Sequence, residues 1–341
     1  MNPISLAENG FLPYWLLRFG IRQRVGQKLV IEKSKSPEER DRFARSLASS
    51  QIAQDTEAAN EQHYEVPTAF YKLALGPHLK YSSAYWPEGC KSLAEAEAAA
   101  LKLIEERVEL SDGQSVLDLG CGWGSFSLWA APRHPSSTFL AVSNSHTQAT
   151  FIREEASRRG IKNLKVVTCD INEFDPKAQF DRIVSVEMLE HVRNYESLFA
   201  RIASWMQDDC KMFVHVFSHR KYAYAYEADN PSEWMARHFF TGGIMPSHAL
   251  LPSFDTHLKL QESWQLDGTH YQKTSDAWLD NMNRHQDEIH TLFEKTYGAE
   301  NANRWMWRWR LFFIACAELF GYKNGSEWGV SHYILGKKIN P

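Results

Sequence analysis

Apolar and polar residues alternate along the middle of the chain with two different periods. Five short apolar runs predict buried strands: 115–119, 138–143, 164–168, 180–186 and 211–217. Three amphipathic stretches predict the helices that connect them: 123–131, 146–159 and 195–206. Because strands and helices alternate in this way, we expect an α/β fold with a mostly parallel, doubly wound sheet. Two later runs, 255–266 and 328–336, predict antiparallel additions that complete a seven-stranded sheet.

The segments outside this pattern predict helical additions to one main domain. Residues 1–75 are expected to form a helical N-terminal extension, which ends where Gly76-Pro77 stops a helix. Residues 76–341 are expected to form the main domain. Within it, the aromatic stretch 220–250 predicts a helical cap inserted over the strand ends, and residues 275–322 predict a pair of helices.

The turn after the first predicted strand, Ser115-Val-Leu-Asp-Leu-Gly-Cys-Gly-Trp-Gly124, is the most specific motif. Doubly wound folds hold adenosine-type cofactors at such turns, because glycine lets the backbone approach the ligand. Ser125 stands where a dinucleotide fold needs a third Gly or Ala, and Asp118 would repel a pyrophosphate. Asp118 instead suits the ammonium end of S-adenosylmethionine (SAM). The motif therefore predicts a SAM site that includes Asp118, Gly120 and Gly122.

Composition and charge exclude several classes of protein. A net charge of −4 over 341 residues argues against a nucleic-acid binder, because phosphate recognition needs a concentrated basic surface. The five cysteines lack CxxC spacing, which predicts neither a disulfide framework nor a zinc site and fits a reducing compartment. No apolar run is long enough for a transmembrane helix, and no signal-peptide layout is evident. These features predict a cytoplasmic protein.

The segment Phe11-Leu-Pro-Tyr-Trp-Leu-Leu-Arg-Phe-Gly20 is aromatic and is followed by Arg22, Arg24, Lys28 and Lys33. It has two interpretations: a helix that makes weak contact with an anionic membrane surface, or an accessory helix that packs its aromatic face on the main domain. We favour the second, because basic amphipathic helices are common in ordinary proteins. A homodimer is also compatible with the sequence.

The strongest candidate for chemistry follows the fourth predicted strand. There Glu187-Met-Leu-Glu190-His191 places two carboxylates and an imidazole on one helical face. Such a cluster suits an amine, because the carboxylates attract an ammonium ion and Glu190 or His191 can take its proton. Crowding of Glu187 against Glu190 should also raise the pKa of one of them. The structural alternative is a helix cap with salt bridges to Arg182 or Arg193. The position beside the glycine turn favours catalytic roles for Glu187, Glu190 and His191.

His215, at the end of the fifth predicted strand, is a candidate for the same pocket. The alternative is a structural hydrogen-bonding role. His219 is the weaker candidate of the two, and neither is expected to bind metal, because no second ligand follows at a recognisable spacing. Aromatic residues of the cap and the late helices are candidates for a pocket that takes a flat or cationic substrate.

Four segments together resemble the SAM-dependent cyclopropane fatty acid synthase superfamily: His63-Tyr64-Glu65, Tyr81-Ser-Ser-Ala-Tyr-Trp86, Val116-Leu-Asp-Leu-Gly-Cys-Gly-Trp-Gly124 and Glu190-His191. The resemblance spans roughly residues 55–340. Within it, four further segments are similar to the coclaurine N-methyltransferase group of alkaloid biosynthesis: 186–191, 213–219, 237–247 and 312–322. The resemblance implies a Rossmann-like class I SAM-dependent methyltransferase fold. It also implies that the acids and the histidine after the fourth strand belong to an amine pocket.

The resemblance further implies which residues contact SAM. They are Tyr81, Ser82, Gly120, Gly122, Ser143, Asn144, Gln148, Ile171 and Asn172, to which we add the neighbouring Asp170. No acid ends the second predicted strand, so Asn144 or Gln148 is expected to bind the ribose hydroxyls. This absence is shared by the superfamily.

Differences from the superfamily's synthases predict the methyl acceptor. Those enzymes resemble one another in a bicarbonate pocket of Cys, Glu, His, Ile and Tyr. The matching positions here are Ser83, Glu190, His215, Phe217 and Phe312, so two of the five residue types are retained. Glu187 adds a negative charge where the synthases usually have glycine, which would repel bicarbonate and attract a cationic amine.

The sequence therefore predicts a SAM-dependent N-methyltransferase that acts on a small, coclaurine-like cyclic amine and releases S-adenosylhomocysteine. The expected substrate-binding residues are His215, Phe217, Phe240, Phe312 and Trp328. Two alternatives stay open: a lipid-modifying enzyme similar to cyclopropane synthases or phospholipid methyltransferases, and a SAM-binding protein without catalysis.

Overall fold

A seven-stranded sheet lies at the centre of the structure, a computed structural model that describes residues 3–47, 50–53, 66–226 and 234–338. Its first five strands are β1 (Ser115–Leu119), β2 (Thr138–Ser143), β3 (Leu164–Thr168), β4 (Phe180–Val186) and β5 (Met206–His219). Two short strands outside it are β6 (Tyr224–Ala225) and β7 (Ile244–Met245), and the sheet is completed by β8 (Leu258–Asp267) and β9 (Trp328–Lys337). The order is β3-β2-β1-β4-β5-β9-β8, with β9 antiparallel to both neighbours and all other pairs parallel. The predicted mostly parallel α/β fold is confirmed.

The direction of the connections reverses between β1 and β4. The chain runs outward from β1 to β2 and β3, and then returns to place β4 on the other side of β1. Residues 116–119 of β1 are buried, as expected for a central strand that is covered on both faces. Ligands of such sheets bind in the crevice at the carboxyl ends of the strands beside this reversal. The fold therefore places the residues that follow β1 and β4 at one crevice.

Helices surround the sheet, and several of them begin at side-chain caps. The described helices are α1 (Pro3–Glu8), α2 (Tyr14–Ser34), α3 (Pro37–Leu47), α4 (Thr68–Ala74), α5 (Leu93–Arg107), α6 (Ser125–Ala130), α7 (His146–Arg158), α8 (Tyr195–Trp205), α9 (Trp234–His238), α10 (Thr269–Arg284), α11 (Gln286–Tyr297) and α12 (Ala299–Phe320). Ser92, Ser145 and Asn194 each accept a hydrogen bond from the backbone N–H three residues later. These bonds satisfy N–H groups that have no partner inside the helix, which fixes the starts of α5, α7 and α8.

The segment 275–322 differs from its prediction, because it belongs to three helices rather than a pair. The first break falls at His285, and the second falls at Gly298, whose φ is +81°. Helical residues have negative φ, so the chain turns between α11 and α12 at a position where glycine carries little strain.

The cap over residues 220–250 is only partly helical. It contains the short helix α9 and a two-stranded ribbon formed by β6 and β7. Residues 227–233 of the predicted cap lie outside the described residues, as do 48–49 and 54–65 of the predicted N-terminal extension. The division of the chain at residues 75 and 76 stays a prediction.

Helix α2 packs on α12 mainly through aliphatic side chains and charges, and its Tyr14 lies edge-on against Trp307 of α12 with ring centres 5.9 Å apart. Arg18 and Arg22 donate hydrogen bonds of 2.9 and 2.7 Å to the two carboxylate oxygens of Glu318, which is almost fully buried. The buried apolar positions of α2 are Leu17, Val25 and Leu29. The accessory helix therefore packs on the main domain as favoured, but its packed face is mostly aliphatic and charged rather than aromatic.

The opposite side of the N-terminal segment exposes its aromatic residues to solvent. Phe11, Trp15 and Phe19 are 68%, 70% and 59% exposed. Among the described residues, no helix combines the length and the apolar character that crossing a bilayer requires.

We expect Glu318→Gln to lower the free energy of unfolding by about 1–2 kcal/mol, because it weakens two charge-assisted hydrogen bonds to a buried acceptor. Urea unfolding followed by circular dichroism measures this change. The control is Glu106→Gln, which weakens a 3.4 Å ion pair between Lys102 and a glutamate that is 57% exposed. It should cost less than about 0.5 kcal/mol. Equal losses in the two variants would contradict the anchoring role of Glu318.

Candidate active site

A cavity of about 290 Å³ lies at the carboxyl ends of β1, β2 and β4 and is closed by the cap and α12. The family resemblance assigns nine residues to SAM, and the neighbouring Asp170 is the tenth. Nine of these ten line the cavity: Tyr81, Ser82, Gly120, Gly122, Ser143, Asn144, Gln148, Asp170 and Ile171. Asp118 lines it as well. The predicted cofactor residues are therefore brought together from four separate segments of the chain.

Asn172 is the exception, because it does not line the cavity. Its side-chain oxygen accepts a hydrogen bond from the N–H of Ala53, and its amide nitrogen donates to the Ala53 carbonyl and to Asp170. Both polar atoms of the Asn172 side chain are therefore engaged in hydrogen bonds within the protein. Asn172 therefore supports Asp170 and residues 50–53 from behind. His63-Tyr64-Glu65, part of the resemblance, lies outside the described residues.

The glycine turn after β1 needs two of its glycines for different reasons. Gly120 has φ +80°, and a Cβ there would lie 2.5 Å from Cγ of Met188, so the turn packs directly against the residue after Glu187. Gly122 has φ +53°, and a Cβ there would meet no atom within 4 Å. The backbone at Gly122 therefore faces open space, which is the geometry that a close-lying ligand requires.

Asp118 ends β1 as a buried carboxylate. It accepts a 2.6 Å hydrogen bond from the hydroxyl of Ser127, and burial raises its pKa to about 6. A carboxylate at the cavity wall with this residual acceptor capacity fits the ammonium group of an amino acid. On the neighbouring strand, the hydroxyl of Ser143 donates to the side-chain oxygen of Gln148 at 2.7 Å, which fixes that amide at the wall.

Glu187 is held in place by three hydrogen bonds. Its carboxylate accepts from the N–H of Ser83 at 2.9 Å, from Nε2 of His215 at 3.1 Å and from the hydroxyl of Tyr271 at 2.7 Å. Its φ is +46°, and its own N–H donates to the His215 carbonyl at 2.8 Å. Burial raises its pKa above the usual range, although the Lys80 ammonium and these donors oppose the shift.

Glu190 occupies a different environment although it lines the same cavity. It lies in the 3₁₀ turn Leu189–His191, is buried, and its Oε2 has no hydrogen-bond partner among the described residues. Burial and the negative charge of Glu187 raise its pKa well above the usual range. His191 follows on the same wall, with its ring centre 4.8 Å from that of Phe240. The predicted convergence of two carboxylates and an imidazole is therefore present along one wall of the cavity.

Two polar residues of the site have no clear signal in the sequence. Lys80 is fully buried, and its ammonium donates to the Ser82 hydroxyl at 2.5 Å and to the Ser83 carbonyl at 2.7 Å. Burial lowers its pKa to about 8. Tyr271, on α10, supplies the hydroxyl that Glu187 accepts. Lys80 directly precedes the Tyr81–Trp86 motif, whereas Tyr271 lies far from every motif. The motifs include neither residue, so only the folded chain reveals their roles.

Aromatic and sulfur-containing side chains form the remaining walls. Phe217, Phe240 and Phe312 line the cavity among the predicted substrate residues. Further wall residues are Tyr226, Met235, Phe239, Met245, Tyr271 and Phe320. Tyr226 and Phe239 belong to the aromatic cap that was expected to contribute to the pocket. Stacked pairs such as Phe239 and Phe312, with ring centres 4.5 Å apart, fix the shape of this wall.

Two predicted substrate residues lie outside the cavity lining. Trp328 is buried and donates from its indole nitrogen to the Tyr224 hydroxyl at 3.0 Å. His215 is buried between Glu187 and His332, whose Nε2 lies 2.9 Å from Nδ1 of His215. Both side chains therefore support the site from behind, because the sheet directs them into the protein interior.

Comparisons with known proteins agree with this geometry. The family model for mycolic acid cyclopropane synthetase matches residues 51–327. The (S)-coclaurine N-methyltransferase of Thalictrum flavum subsp. glaucum is 35% identical over 98% of this chain and 95% of its own length. The corresponding protein of Papaver somniferum is 33% identical over 97% of this chain and 96% of its own length.

A solved structure is similar over almost the whole chain. It is the crystal structure of a coclaurine N-methyltransferase bound to N-methylheliamine and SAH, with a TM-score of 0.94, 34% identity and 98% coverage of both chains. The resemblance that the motifs indicated is therefore confirmed. The chain belongs to the mycolic acid cyclopropane synthetase family and is a SAM-dependent methyltransferase.

Proposed function

We propose that the protein transfers the methyl group of SAM to the nitrogen of a small cyclic amine of the coclaurine, or benzylisoquinoline, type. The observation that carries this proposal is the buried Oε2 of Glu190, which has no donor among the described residues and lies in an aromatic-walled cavity. A buried acceptor without a donor costs about 1–3 kcal/mol. A bound amine removes that cost, and the aromatic walls favour a flat, cationic guest.

The residues at the ends of β1 and β2 fit SAM. Asp118 offers a carboxylate to its ammonium group, Gly122 leaves room beside the backbone, and Asn144 and Gln148 offer amides to the ribose hydroxyls. When bound, SAM supplies a methyl group that the adjacent sulfonium makes electrophilic. The protein therefore contributes mainly alignment of the nitrogen with the methyl group.

Glu190 accepts the proton that the amine must lose. An O–H bond forms at Oε2 as the N–H bond breaks, and the nitrogen lone pair becomes free to attack. The oxygens of Glu187 already accept three hydrogen bonds, so this residue acts through its charge. That charge attracts the ammonium ion and raises the proton affinity of Glu190. His191 borders the same space and assists in proton removal.

A lipid acceptor is the second candidate, because one observation favours it. The exposed aromatic side chains of Phe11, Trp15 and Phe19, with basic residues nearby, are typical of contact with an anionic membrane surface. Two acids in the cavity oppose the binding of bicarbonate or a lipid phosphate. The homodimer and the cytoplasmic location stay predictions from the sequence.

A panel of acceptors distinguishes these two functions. We expect secondary cyclic amines, with and without a 1-benzyl substituent, to gain one methyl group from SAM, as measured by mass spectrometry. Vesicles of unsaturated, anionic phospholipid with bicarbonate should gain none. Lipid modification that requires bicarbonate, without turnover of any amine, would refute the proposal.

We expect Glu190→Gln to lower kcat by about 100-fold, because the amide cannot accept a proton. The dissociation constant of SAM should stay unchanged. In the wild type, kcat should fall as the pH drops through the raised pKa of Glu190, since only its ionised form is a base. The variant should lose this dependence. Glu32→Gln, which alters a buried carboxylate on α2, is the matched control and should leave kcat unchanged. Full activity in Glu190→Gln would exclude the assignment.

We expect Gly122→Ala to weaken SAM binding by about tenfold or more, because its Cβ would enter the open space beside the turn. The control is Gly160→Ala, at a solvent-exposed turn where φ is +68° and a Cβ also meets no atom within 4 Å. Both variants should lose about 1–2 kcal/mol of stability through backbone strain. Isothermal titration calorimetry then separates strain from ligand contact, and equal SAM affinities would show that Gly122 is not beside the ligand.

A further inference from the structure

A chain of hydrogen bonds connects Glu187 to the end of helix α5 on the outer part of the domain. Nε2 of His215 bonds Glu187, Nδ1 of His215 bonds Nε2 of His332, and Nδ1 of His332 bonds the guanidinium of Arg107. His215 and His332 are direct partners across β5 and β9, and Trp264 is the partner of His332 on β8. Arg107 lies over the Trp264 ring at 4.1 Å. His332, Trp264 and Arg107 do not line the cavity.

Arg107 determines the direction of every hydrogen bond in this chain. A guanidinium only donates, so Nδ1 of His332 must accept. The hydrogen of a neutral His332 is therefore on Nε2, and Nδ1 of His215 accepts it. His215 in turn carries its hydrogen on Nε2 and donates to Glu187. Burial, together with the positive charges of Lys80 and Arg107, lowers the pKa of both histidines well below the usual range, so both are neutral.

We propose that Arg107 is a positioning residue for methyl transfer: through His332 and His215 it fixes Glu187 as a hydrogen-bond-accepting carboxylate beside the cavity. A proton cannot leave along this chain, because Arg107 has no acceptor atom. These hydrogen bonds therefore hold the negative charge of Glu187 in place and do not conduct protons. This inference rests on the proposed function, in which the charge of Glu187 raises the proton affinity of Glu190.

Other charged and titratable groups surround the hydrogen-bond chain from Glu187 to Arg107. Replacing Arg107 leaves these residues unchanged. Around Glu187 they are Lys80, Glu190, Tyr271 and Cys316. Around His332 and Arg107 they are His270, Tyr85, Glu106 and Glu262. Burial lowers the pKa of Arg107 to about 10, so its charge persists in neutral solution. Loss of the directed donor should raise the pKa of Glu187, because its carboxylate would lose a fixed partner.

Arg107→Met tests the inference, because methionine keeps contact with Trp264 and removes the donor. Activity requires both Glu187 and Glu190 to be ionised, so a higher pKa of Glu187 raises the apparent pKa of the pair. We expect kcat to fall about tenfold near neutral pH and the acid limb of the kcat profile to move up by about one pH unit. Activity should recover as the pH rises, and KM for SAM should stay unchanged. Arg107→Lys, which retains a donor, should restore most of the wild-type profile.

Arg133→Met is the matched control, since Arg133 also lies over a tryptophan ring, Trp129 at 4.0 Å, and donates to a backbone carbonyl. It should leave the pH profile unchanged. An equal fall of kcat at every pH in Arg107→Met, or a profile identical to wild type, would overturn the inference.

Imidazole ¹⁵N NMR of the wild-type protein gives a readout that needs neither SAM nor an acceptor. We expect His215 and His332 both to carry hydrogen on Nε2, with signals assigned from His215→Gln and His332→Gln. Hydrogen on Nδ1 of either residue would overturn the inference that Arg107 sets the direction of these hydrogen bonds. This measurement is independent of the methyl acceptor. It therefore tests the direction of the hydrogen bonds between Arg107 and Glu187 even if the proposed amine function fails.

Discussion

Two carboxylates, Glu187 and Glu190, share one buried cavity and repel each other electrostatically. The neighbouring hydrogen-bond donors contact Glu187 and so stabilise its negative charge. An ionised carboxylate that leaves water loses several kcal/mol of solvation unless donors replace it. Glu187 receives three donors, whereas Oε2 of Glu190 receives none from the described residues. This asymmetry pushes the proton affinities of two chemically equal groups apart. In the proposed mechanism, one acid serves as a fixed charge and the other as a base.

The asymmetry depends on long-range placement. Ser83 comes from the loop before α5, His215 from β5 and Tyr271 from α10, so three distant segments meet Glu187. The left-handed backbone at Glu187, held by the His215 carbonyl, turns the carboxylate toward these donors. The strand order brings the ends of β1 and β4 together beside it. The base and the SAM turn consequently share one cavity.

Members of one family can use equivalent positions for different chemistry. The resemblance places the positions of Glu190 and His215 in a bicarbonate pocket in the cyclopropane synthases. In this chain His215 does not line the cavity and bonds Glu187, and Phe217 and Phe312 supply apolar walls. Two acids and aromatic rings at these positions favour a cation over an anion. A few side chains change the preferred guest while the sheet stays the same.

The sequence alone determined the sheet, the SAM turn and the acidic cluster, because periodicity, glycine spacing and the closeness of Glu187, Glu190 and His191 along the chain are local. The expected helical face is absent, since Glu187 has a φ of +46° and only Leu189–His191 form a 3₁₀ turn. The sequence did not show the break at Gly298 as a helix boundary, the exposed aromatic face of α2, or the interior positions of His215, Asn172 and Trp328. The roles of Lys80, Tyr271 and Arg107 were decided only by the tertiary structure. Burial and hydrogen-bond partners arise between residues that are far apart in sequence, and these two properties give Glu187 and Glu190 different environments in one cavity.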